Sequence, residues 1–161
     1  MIKYALASLI LILSVRLSTT YVRKKEKDLD LFRELCDFVA FLDGRMRLSI
    51  APVSVLIKGF KSKQLSEIGF TDAVLGGESL ESAFLKHVEK DAISDKGYGI
   101  FVDLFSKFGG GSVDFERKRL SILSSSLCSE FEIEKEKFKK QGVVVKTLSF
   151  SLALGIIILL L

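Results

Sequence analysis

The sequence predicts an all-α protein: an antiparallel helical bundle of about six helices, with the N- and C-terminal helices continuing into transmembrane anchors. Three observations carry this. Apolar residues recur at three-, four- and seven-residue spacings along most of the chain, the period of a helix with one buried face. The composition holds 13 Phe, 3 Tyr, no Trp and one proline, which suits helices packed on apolar stripes and argues against a sheet protein full of turns. Both ends are long apolar runs. The expected organisation is an anchor over 1–22, a bundle over 23–141 and a second anchor over 142–161.

The first element is Met1 to Val15, with Lys3 near its start and Arg16 directly after it. A secretory signal peptide has similar features, but no obvious small-x-small cleavage site follows the apolar run before Arg23. An uncleaved anchor is favoured, extended to Val22 if Arg16 snorkels. No helix breaker lies between Val22 and Gly44, so the next helix runs straight on from the anchor. Its stripe is Leu31, Leu35, Phe38, Leu42 and Met46, widened by Phe32, Val39 and Phe41, with Glu34, Asp37 and Asp43 facing away. Ala51-Pro52 marks a break, since proline restricts its predecessor and fits a first helical turn. A short helix with Val53, Leu56, Ile57 and Phe60 inward follows. Leu65 to Gly77 reads as irregular, stopped by Gly76-Gly77.

Ser79 to Ile93 gives a short amphipathic helix through Leu80, Phe84, Leu85 and Val88. Tyr98 to Phe108 gives another, with Ile100, Phe101, Leu104, Phe105 and Phe108 inward. Gly109-Gly-Gly-Ser112 ends it, and Asp114 with Glu116 opens the last helix as N-cap and first-turn acid. Leu120, Leu123, Leu127, Phe131 and Phe138 share one face of that helix, while Arg117, Lys118, Arg119 and the run Glu132–Lys140 occupy the others. From Gly142 to Leu161 the chain is almost pure hydrocarbon and rises about 30 Å as a helix, the thickness of a bilayer core. Lys146 reaches the headgroups by snorkelling. Arg23, Lys24, Lys25 and Lys27 follow the first anchor, and Lys135, Lys137, Lys139 and Lys140 precede the last. Cations collect on the cytoplasmic side of a span, so the middle of the chain is expected in the cytoplasm.

The charge balance, 24 Lys and Arg against 20 Asp and Glu, is too even to suggest nucleic acid as a partner. Cys36 and Cys128 read as buried, reduced thiols, because a cytoplasmic domain does not favour a disulfide. The glycine-rich turn before Ser112 lacks the lysine and hydroxyl of a phosphate loop. His87 has no convincing metal partners in Glu89 and Asp91. Ser124-Ser125-Ser126 lacks a nucleophile elbow and a paired base, so these serines pack closely or face water. No catalytic constellation, cofactor or metal site is expected, and the chain reads as a non-enzyme with the lipid bilayer as one partner.

In the order of its parts the chain resembles the stage III sporulation protein AB family. The likeness lies in the N-terminal anchor, the Leu31–Met46 helix leading to Ala51-Pro52-Val53, and the Leu-x3-Phe-Gly turn at Leu104–Gly109. Asp114, the long charged helix and a closing Leu-rich anchor complete it. The family commonly has a glutamine soon after the turn; here extra glycines follow Gly109, and Lys118 or Arg119 stands near that position. The resemblance implies a helical cytoplasmic domain similar to the platform domain of type II secretion systems. It also implies residence in the mother-cell membrane facing the forespore, as a platform subunit in a secretion-like channel complex with a secretion-type ATPase and other sporulation channel proteins. No family motif marks the ATPase contact. The basic corner Arg45, Arg47, Lys58 and Lys61 is the candidate, because it surrounds the Pro52 turn far along the chain from both anchors. A homo-oligomer is also possible. The rival reading is a small pore-forming or holin-like protein, but Ser149 and Ser151 do not share a helical face and offer a conduction path little support.

Overall fold

The computed structural model describes residues 2–48 and 51–160, with the side chains of all of these except 2–8, 10, 11, 48, 146, 159 and 160. The snorkelling expected of Lys146 therefore lies outside the described residues. Among the described residues seven α-helices follow in order: α1 (Ile2–Leu48), α2 (Val53–Leu56), α3 (Lys63–Glu67), α4 (Phe70–Leu75), α5 (Leu80–His87), α6 (Asp95–Ser106) and α7 (Val113–Leu160). A single 3-10 turn, Lys90–Ala92, lies between α5 and α6, and no strand occurs among the described residues. The chain divides into two compact units, Asp28–Glu134 and the paired ends Met1–Lys27 with Lys135–Leu161.

In the unit Asp28–Glu134 the expected stripe of α1 is the core. Phe32, Leu35, Phe38, Val39 and Leu42 are all at most 1% exposed. Phenylalanine rings do much of the joining. Phe38 lies edge-on to Phe60 and Phe70 at 5.3 and 5.2 Å. Phe32 meets Phe101 of α6 at 5.8 Å and Phe131 of α7 at 5.7 Å, again edge to face, the arrangement that ring quadrupoles favour. Phe84 of α5 packs on Phe101 and Phe105. From α7, Leu120 and Leu127 are fully buried, with Leu123 and Phe131 half-buried against the same cluster. Leu85, read as inward, is 52% exposed; the short α5 turns only Leu80, Ala83 and Phe84 fully inside.

Residues 65–77 are not irregular. They hold most of α3 and all of α4, each little more than a turn. Helices this short have no stability of their own, so no periodicity announces them. Side chains close the N-terminus of α3. Ser62 Oγ accepts from Leu65 N at 3.1 Å, and Glu34 Oε2 on α1 accepts from Gln64 N at 2.9 Å and Leu65 N at 3.4 Å. Ser62 Oγ also donates to that carboxylate. Glu34 thus faces inward, against the reading that turned it to water, and places its negative charge at a helix N-terminus. Gly69 separates α3 from α4 with φ +80°, a conformation that favours glycine.

The caps also differ in detail. Pro52 is the N-cap of α2 rather than its first helical residue; its carbonyl accepts from Val55 N and Leu56 N at 2.9 and 3.0 Å. Asp114 lies inside α7, and the hydroxyl accepting from the first turn is Ser112 Oγ, 3.4 Å from Phe115 N. Ser79 and Ser94 cap α5 and α6 through Ser82 N and Gly97 N. Gly109, with φ +86°, makes the helix-to-helix turn that its sequence suggests.

The unit of paired ends has the reverse polarity. Ser14 Oγ donates to Ser149 O at 2.8 Å, and Ser18, Val22 and Ala153 are buried. Outward lie Leu9, Ile12, Leu13, Leu17, Val143, Leu148, Phe150, Leu152 and Ile158, each more than half exposed. Thr19, Thr20 and Thr147 hydroxyls donate to the carbonyls of Val15, Arg16 and Val143 in their own helices, at 2.7, 2.9 and 2.9 Å.

Candidate functional site

The C-terminal end of α1 leaves carbonyls with no helical partner and a partial negative charge. Arg117, expected on a solvated face of α7, answers this: its Nε and Nη2 donate to Met46 O at 3.0 and 2.6 Å. Arg45 and Arg47 sit in the same last turn of α1. Arg45 lies over the ring of Phe41 at 5.1 Å, a cation–π contact. Its Nη2 is 3.8 Å from where a side chain on Gly59 would begin, which sets its charge against the turn that carries Lys58. Arg47 is exposed but tied to Asp43 Oδ2 at 2.7 Å. Lys58 and Lys61 are exposed, and neither has an ion pair among the described residues. Lys61 opens onto a groove of about 640 Å³ shared with Phe60, Lys63, Glu67, Thr71, Asp72 and Leu75.

The four cations read from the sequence are thus unequal. Arg45 joins the Lys58 turn, Lys61 faces the neighbouring groove, and Arg47 is largely neutralised. The arrangement can hold an acidic surface by charge.

A second clamp joins α6 to α7. Arg119, also expected in solvent, has a side chain only 12% exposed. It donates to Asp103 O and to Leu104 O, and lies 3.5 Å from the Asp103 carboxylate and 3.8 Å from that of Glu116. The hydrogen bond from Lys107 holds the Asp103 carboxyl below the ordinary carboxylate value, with the charges of Lys107 and Arg119 adding to it.

The remaining candidates for chemistry have structural roles or lie on the surface. His87 Nδ1 donates to Ile68 O at 2.7 Å, and its ring lies against Gly69. No group of three or more His, Cys, Asp or Glu able to hold a metal occurs among the described residues. Cys36 is buried, which pushes its thiol up to about 12, aided by Cys128 and Asp37 nearby. Cys128 is exposed, against the expectation that both thiols are buried, because its position on α7 lies outside the Leu120–Leu127 stripe. Ser125 and Ser126 face water, and Ser126 Oγ bonds back to Ile122 O at 3.1 Å.

Glu34, Arg117 and Arg119 are the residues that sequence reasoning missed. Each acts on a partner distant in the chain or across a turn, Arg117 on a carbonyl 71 positions away, and no local pattern marks such a bond.

These features define an all-helical protein whose described residues carry interhelix clamps and a cationic corner, and whose α7 is long and apolar enough to cross a membrane by length and composition. The family model for stage III sporulation protein AB matches residues 3–161, and the chain belongs to this family of sporulation proteins. No curated protein and no solved structure matches it.

Proposed function

We propose that the chain is a membrane platform: a scaffold subunit of a secretion-like channel between mother cell and forespore. On this reading it resides in the mother-cell membrane facing the forespore, with 1–22 and 142–161 in the bilayer. The helical middle, 23–141, lies in the cytoplasm and docks a secretion-type ATPase. One observation carries the anchoring. In the unit of paired ends the hydroxyl of Ser14 turns inward while Leu148, Leu152 and Ile158 are 63%, 67% and 71% exposed. So large an apolar surface is unfavourable in water and suits lipid. The threonines of this unit satisfy their hydroxyls within their own helices, as a hydrocarbon medium requires. Cations flank both apolar segments on the side of the middle unit, which supports the cytoplasmic orientation. Docking by charge is supported by Lys58 and Lys61, which are exposed and have no ion pair among the described residues. The test is affinity capture of the tagged full-length protein from detergent-solubilised sporulating cells. The reading expects a secretion-type ATPase among the bound proteins, with recovery reduced by Lys58→Glu and Lys61→Glu together while thermal stability is kept. Capture unaffected by the reversals rejects the basic corner. Recovery of the protein alone, as a defined oligomer that makes liposomes leak, replaces the platform by a pore-forming protein.

A further inference from the structure

Phe115 and Ile122 on α7 are 61% and 59% exposed, although the buried stripe of that helix runs through Leu120, Leu123 and Leu127. Seven residues apart, they share one helical face and border a single groove of about 440 Å³. Leu123 lies in that groove half-buried, and Asp103 and Arg119 line it as well. The charges of Asp103 and Arg119 are spent on one another, on Lys107 and on Glu116. Lys118, between the two apolar residues, is exposed and has no ion pair among the described residues. The groove therefore offers two apolar contacts two turns apart with one unanswered positive charge between them.

We infer that this groove docks an amphipathic helix of a partner protein, one presenting apolar residues at helical spacing with an acidic side chain between them. Such a helix matches the spacing of Phe115 and Ile122 and answers Lys118, the mode in which helices lie in apolar grooves. A second copy of this chain fits less well. A twofold pairing of antiparallel α7 helices that set Phe115 against Ile122 of the other copy would place the two Lys118 side chains beside the axis, where like charges repel. The groove lies on α6 and α7, distinct from the Arg45–Lys61 corner, so the inference stands whether or not that corner binds an ATPase.

The test uses the full-length protein in detergent with Phe115→Trp, which supplies the only tryptophan in the chain. Two synthetic helical peptides with leucines at helical spacing are titrated, one with glutamate between the leucines and one with lysine. The glutamate peptide is expected to shift the Trp emission saturably and to bind about threefold or more tighter than the lysine peptide, the scale of a partly exposed ion pair. Lys118→Glu should invert that preference. Ile122→Glu should weaken the glutamate peptide about tenfold or more with an unchanged melting temperature. Should Ile122→Glu unfold the protein, the inversion at the exposed Lys118 still decides. Equal binding of the two peptides, saturable binding of neither, or no inversion overturns the inference. So does a concentration-dependent dimer that Lys118→Glu strengthens, which would give the groove to a second copy.

Discussion

Gly97 stands in the first turn of α6, buried, where α6 meets Phe32 of α1. A Cβ built there lies 2.9 Å from Phe32 Cζ and 3.0 Å from both Ile93 Cγ2 and Ser94 Oγ. Phe32 cannot yield easily, because it is 1% exposed and held edge-on by Phe101 and Phe131. Gly99, two residues on in the same helix, is exposed and has nothing within 4 Å of an added Cβ. Helix propensity alone favours alanine over glycine by about 1 kcal/mol at either position. Overpacking a tight core costs about 1–3 kcal/mol, so after the propensity gain Gly97→Ala should lose up to about 2 kcal/mol net. Gly99→Ala should gain about 0.5–1 kcal/mol. The two changes thus differ in sign, and the gap corresponds to roughly 10 °C in melting temperature for a unit of this size. Thermal unfolding of the two full-length variants in detergent, followed by far-UV circular dichroism, measures it. A Gly97→Ala protein as stable as Gly99→Ala would refute the close approach of Phe32 to α6.

Two further predictions concern groups that the fold places in special surroundings. Glu34→Ala removes the carboxylate that closes α3 and should cost about 1–3 kcal/mol, with Glu34→Gln costing less. Hydrogen exchange should show the amides of Gln64 and Leu65 losing protection ahead of those in α6. For the thiols, alkylation of native protein at neutral pH should label Cys128 and spare Cys36 until the chain unfolds. The folded Cys36 thiol titrates at about 12 against an ordinary 9.0, so burial raises it. Its contribution is fully present below 9.0 and is lost as pH rises toward about 12; Cys36→Ala should lose less stability across that window. Asp103 is shifted the other way, so its contribution is present above 3.8 and falls away at lower pH. Asp103→Asn should flatten that acid limb in a melting series.

By itself the sequence determined the helical class, the core stripe of α1, the breaks at Pro52 and Gly76-Gly77, and the apolar character of the C-terminal run. These are one-dimensional properties: period, composition and backbone permission are written along the chain and need no partner. The family was legible in the same way, through the order of apolar ends, turn and charged helix. Only the tertiary structure decided the rest. Helices α3 and α4 are too short to signal themselves; Glu34 and Ser62 close the start of α3, and both helices are held by the core through Leu65, Phe70 and Val74. Arg117 and Arg119 looked like solvated charges, yet they clamp carbonyls of α1 and α6. Phe115 and Ile122 lie outside the α7 stripe read from the sequence, and only the packing of α6 beside them makes them the rim of a groove. Each depends on which distant backbone or ring comes within hydrogen-bonding or van der Waals reach, and those distances arise only when the helices pack together.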